Sequence, residues 1–203
     1  MPSKIPQVST CKSPMRRLPS LILIVATAPL AWLWMQVVHE CGHALFGWLT
    51  GGEVRQVILH PLTISRTDLD LNPHPLIVCW AGPVFGSIAP VMVWLISHAV
   101  KWPGEYWLRF FAGFCLIANG AYLAVGSFEG IGDAGDLLRH GSPVWMLWLF
   151  GACTITAGLR LWHGLGPKFG IGPSVTQIGW PAALMACASL LATIITEALL
   201  SRR

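Results

Sequence analysis

The chain has 203 residues, is 54% hydrophobic and 11% charged, and carries a net charge of +4 with eleven tryptophans. Soluble domains carry about 25% charged residues, so an ordinary soluble domain is excluded and an integral, multi-pass protein of a cell inner or plasma membrane is expected. A nucleic-acid partner is excluded too: Lys4, Lys12, Arg16 and Arg17 precede the first acid, Glu40, and suit anionic lipid headgroups rather than forming a large basic face.

Residues 1–17 read as a disordered basic tail, and 18–203 as a single membrane-embedded domain. From Leu18 to Leu49 the chain is apolar without a turn cluster. A span needs about 20 residues, so this run can tilt, or kink at Pro29. It continues into HECGH without a small-residue cleavage site, which predicts a retained anchor rather than a removed signal. Gly51 and Gly52 end it.

Residues 53–74 are the longest polar segment, and EVRQVILHPL and TISRTDLDL partly alternate, which predicts a short hairpin. Apolar runs follow at about 75–100, 106–126 and 143–163, then a Gly/Pro-rich link and a last run near 177–200. Backbone in lipid must satisfy its own hydrogen bonds, and no strand-length alternation suggests a barrel. The expected fold is therefore an all-α membrane protein. It is a polytopic helical bundle of about five transmembrane helices, with a hairpin-like loop after the first. Cys11, Cys41, Cys79, Cys115, Cys153 and Cys187 lie far apart with no CxxC pair, so they read as small apolar fillers rather than disulfides or a thiolate metal site.

Within the first run stands His39-Glu40-Cys41-Gly42-His43. Ionisable groups in hydrocarbon are costly and mark function. His39 and His43 are four apart, about 40° from each other in projection on a helix, so both imidazoles reach one ion. Glu40 beside them reaches a water there. This is the HExxH arrangement, with two zinc ligands and a general base. A desolvated His-Glu-His trio without a basic neighbour needs a cation, and one Zn²⁺ ion is expected.

A catalytic zinc takes a third protein ligand. The extended metzincin pattern fails, because Phe46 and Leu49 stand where Gly and His are required. His60 and His74 each precede a proline and read as turn residues, Glu53 as solvated, and Glu197 as reaching toward Arg202 and Arg203. The remaining acids, Glu129, Asp133 and Asp136, lie between glycines in SFEGIGDAGDLLRHG. Two crossings separate the end of the HExxH helix from this segment, so it emerges on the same face and can fold back on the ion. Capping of the next helix is the competing role for Asp133 and Asp136.

Taken together, these residues resemble the site-2 protease (M50) family of intramembrane zinc metalloproteases. The likeness rests on HECGH in a membrane helix, the Gly-Gly and hairpin-like segment after it, AGPVFGSIAP at 81–90, and DAGDLL at 133–138. It covers roughly residues 30–140. It implies zinc held by His39, His43 and Asp133, with Glu40 as base, and a membrane-protein substrate. DAGDLL is similar to the family's Asp-Gly-Gly-x-x-Leu, which carries the ligand role onto Asp133; Asp136, preceded by Gly135, is the rival ligand. Gly86 stands where the family commonly has an asparagine, and Asn119 is either the family's Asn ahead of the Asp or an interhelical hydrogen-bonding residue.

A catalytically inactive metal-binding membrane protein (a pseudoprotease, chaperone or metal carrier) is the alternative reading. The Lys and Arg distribution puts the N-terminus in the cytoplasm, whereas the resemblance implies the opposite orientation.

Overall fold

Thirty-two residues, Leu18–Leu49, form the unbroken helix α1. At 1.5 Å per residue it is about 48 Å long, well beyond the ~30 Å hydrocarbon core. The helix runs through Pro29 without a break in assignment. The structure is a computed structural model that describes residues 17–172 and 178–201; the expected tail before Arg17 lies outside the described residues.

After α1, Gly51 takes φ +82° and the chain turns back into β1, Glu53–Ile58, and β2, Arg66–Leu71. The two strands pair antiparallel, with Val57 opposite Thr67 and Ile58 opposite Arg66. Then come α2 (Pro75–Ala99), α3 (Glu105–Glu129), α4 (Gly132–Arg139), α5 (Val144–Trp162) and α6 (Trp180–Leu200), with a 3-10 turn at Gly166–Phe169. Five of these helices are long and apolar enough to cross a membrane. The protein is an all-α polytopic membrane protein with one small hairpin.

Helix α1 packs against α2, α6 and α3, and α3 packs most extensively against α5. Small residues let α3 and α5 approach: a Cβ on Gly158 would meet the Gly113 carbonyl oxygen at 2.7 Å, and one on Gly151 would meet that of Gly120 at 2.9 Å. Glycine seams of this kind bring membrane helices together, since lipid gives no hydrophobic drive. At the N-terminal end of α1, Leu23 and Ala26 pack with Phe169, Ala183 and Ala186. A second cluster joins Leu123, Ala134, Leu137 and Leu147.

Two expectations change. The acidic segment read as a connecting loop contains a helix. Gly130 adopts φ +64° and closes α3, and after Ile131 the eight residues Gly132–Arg139 wind into α4. So short a helix is not stable alone. Ala134 and Leu137, both fully buried, anchor it against α3 and α5 while Arg139 faces out. The cysteines also divide: Cys115 is a buried filler, but Cys41 and Cys153 are exposed. Cys11 lies outside the described residues. Glu197 is buried, at 4% exposure, and the arginines it was expected to approach lie outside the described residues.

Candidate metal centre

Helical spacing brings His39 and His43 onto one side of α1, facing α2 and α3. Their Nε2 atoms are 3.0 Å apart. Asp133, second residue of α4, places Oδ2 at 2.8 Å from His39 Nε2 and 3.2 Å from His43 Nε2. Among the described residues, these three form a group that could hold a metal ion. Asp133 caps no helix; its side chain turns to the imidazoles. Asp136 is 43% exposed at its side chain and pairs with Arg139. His60 Nδ1 accepts the Leu62 amide at 3.1 Å, as a turn residue does, and His74 precedes α2.

The ring nitrogens facing away from the cluster decide its chemistry. His43 Nδ1 is 2.8 Å from the Val78 carbonyl oxygen, which only accepts, so Nδ1 carries the proton. His39 Nδ1 is 2.7 Å from Asn119 Oδ1, and Asn119 Nδ2 donates to the Cys115 carbonyl, so His39 Nδ1 also donates. In the neutral imidazoles both Nε2 atoms then present lone pairs. They converge with a carboxylate oxygen: three electron-pair donors within about 3 Å, which a cation between them would reconcile. Ligands about 2.0–2.1 Å from a tetrahedral zinc stand about 3.3 Å apart, so the donor set fits that ion.

Local sequence makes room for this. A Cβ on Gly82 would collide with the His43 ring, so AGP at 81–83 provides a glycine where α2 passes that imidazole. A Cβ on Gly86 would reach Asn119 Nδ2 at 3.0 Å, so the glycine that departs from the family pattern gives space to Asn119. Gly132 takes φ +55° and passes so close to the Tyr122 hydroxyl that a side chain there would clash. That hydroxyl accepts the Asp133 amide at 3.2 Å.

Glu40 lies at 3% exposure and borders the same cavity of about 670 Å³ as His39, His43, Tyr122 and Asp133. Its partners come from the hairpin. Ser65 Oγ donates to Oε1 and Thr67 Oγ1 to Oε2, each at 2.7 Å. Gln36 Oε1 accepts the Ser65 amide at 3.0 Å. Sequence reasoning missed Gln36, Ser65, Thr67, Tyr122 and the Val78 carbonyl. It left Asn119 with two roles, and the structure makes it an interhelical partner of His39.

A family model described as Peptidase M50B-like matches residues 20–124, just over half of the chain. The chain belongs to this M50 peptidase family. The matched segment holds HECGH, the hairpin, AGP and Asn119, and ends before α4. Comparison with curated proteins and with solved structures gives no significant match.

Proposed function

We propose that this M50 family member is an intramembrane zinc endopeptidase that hydrolyses peptide bonds of membrane-embedded or membrane-proximal proteins. The observation that carries this reading is the convergence of His39 Nε2, His43 Nε2 and Asp133 Oδ2 within 3.2 Å, beside the buried carboxylate of Glu40. His39, His43 and Asp133 would hold one zinc ion. When bound, the ion supplies Lewis acidity and a water whose pKa falls toward ~7.

The chain's own residues do the rest. Glu40 takes a proton from the attacking water as oxygen bonds to the peptide carbonyl carbon. As the C–N bond breaks, Glu40 returns that proton to the leaving amine nitrogen. Asn119 and the Val78 carbonyl hold the imidazoles in the tautomer that presents Nε2 to the cavity. A helical substrate hides its peptide bonds, so it must unwind to enter. Among the described residues the sheet is two-stranded, so β2 has an edge without a strand partner there, and residues 64–69 border the cavity. An extended substrate segment could pair there.

The deciding experiment measures zinc content and cleavage of a membrane reporter on one purified sample. Wild type should hold one zinc per chain and cleave. Glu40→Gln should hold the same zinc and lose cleavage by at least about 100-fold. Zinc-loaded wild type that cleaves no membrane reporter would instead support a metal-binding protein without peptidase activity.

A further inference from the structure

We infer that Ser65 and Thr67 are positioning residues for the general base, and that the hairpin serves as a clamp aligning Glu40. The inference rests on the peptidase reading for its catalytic part.

The argument begins with strand geometry. Successive side chains of an extended chain point to opposite sides. From residue 65 onward, Ser65, Thr67 and Leu69 therefore share one face, and Arg66, Asp68 and Asp70 the other. The outward set pairs within the hairpin: Gln56 donates to Asp68 at 2.7 Å, and Arg66 Nε lies 3.3 Å from Asp68. The inward set meets α1. Gln36, Glu40 and Gly47 lie along one side of that helix, at spacings of four and seven.

Gly47 is the seat. A Cβ there would meet Leu69 Cδ2 at 2.7 Å, so its absence lets β2 lie directly on α1. With Leu69 seated, Thr67 and Ser65 fall two and four residues back along the strand, opposite Glu40. Both carboxylate oxygens then accept a hydroxyl hydrogen at 2.7 Å. A shift of one residue would turn these hydroxyls away and bring Arg66 and Asp68 toward α1. Gln36, holding the Ser65 amide, opposes that slip.

The consequence is catalytic alignment. A carboxylate on a flexible side chain must aim one lone pair at the attacking water. Misplacement by about 1 Å costs on the order of 100-fold in rate. At 3% exposure, Glu40 has little solvent to orient it. The two hydroxyls fix the plane of the carboxylate and leave its remaining lone pairs for the water.

The test uses full-length protein in detergent or bilayer, comparing wild type with S65A/T67V, S65T/T67S and E40A. Alignment predicts that S65A/T67V lowers kcat about 10- to 100-fold per zinc-loaded chain, with KM and zinc content within about twofold of wild type. S65T/T67S, which keeps both hydroxyls, should recover most of the rate. A readout independent of turnover is amide hydrogen exchange at 65–71, which should speed up in both S65A/T67V and E40A at unchanged zinc content. Wild-type kcat in S65A/T67V, or unchanged exchange in E40A, would overturn the clamp. A loss of rate explained entirely by lost zinc would make the hydroxyls merely structural and overturn it as well. If wild type itself cleaves nothing while exchange responds as expected, the peptidase reading fails and the alignment role falls with it; the hairpin contact alone stands.

Discussion

Asn119 has no contact with the proposed ion, yet it sets which nitrogen of His39 carries a proton. Its own amide is fixed by the Cys115 carbonyl at 2.9 Å, so its oxygen is committed to His39. Asn119→Ala should weaken zinc binding about 10- to 100-fold, measured by competition with a chromogenic chelator. Gly82 acts by what it lacks. Gly82→Ala drives a methyl into the His43 ring, and zinc stoichiometry should fall while the helix content by circular dichroism stays near wild type. At this scale the sequence was readable where chemistry demands a residue type: HExxH spacing alone picked out His39, Glu40 and His43. It was unreadable where a carbonyl or hydroxyl does the work. Nothing about Val78 as a residue announces that its backbone oxygen orients His43, and serines and threonines are too common in loops to single out Ser65 and Thr67.

Among elements, α4 carries the greatest consequence for its length. Its eight residues divide into an inner side with Ala134 and Leu137 and an outer side with Arg139. Full burial of Leu137 contributes about 2 kcal/mol, which a helix this short needs in order to dock. Leu137→Ala should cost about 2–4 kcal/mol. Because Asp133 rides on the same helix, the loss should show in zinc titration as weaker binding, with His39 and His43 untouched. The five long helices were legible because hydrophobic length suffices to mark a span, and predicted ends lie within a few residues of those found. The hairpin was legible from its alternation. Helix α4 was not, because glycines at 130, 132 and 135 read as loop, and its inner side is completed only by residues of α3 and α5. The acids it carries were found by counting crossings, which is a property of the path of the chain.

For the whole molecule, one ion would join α1 to α4, which the chain separates by two further spans. Binding to the folded state alone stabilises it, by about 2.7 kcal/mol when free ligand is 100 times Kd. Chelation should therefore lower the Tm of wild type, and addition of zinc should restore it. The same treatment should leave Asp133→Ala unmoved, as read by thermal unfolding of the purified protein in detergent. Equal shifts in both proteins would place the stabilising ion elsewhere.

His39 and Asp133 stand 94 positions apart in the chain yet 2.8 Å apart in space. A ribosome feeding this protein into the membrane delivers the HECGH helix early and the aspartate only after α2 and α3 have been made. Until then the two imidazoles wait without their carboxylate. On the peptidase reading proposed above, the nascent protein would therefore stay incomplete as a hydrolase until α4 has been made.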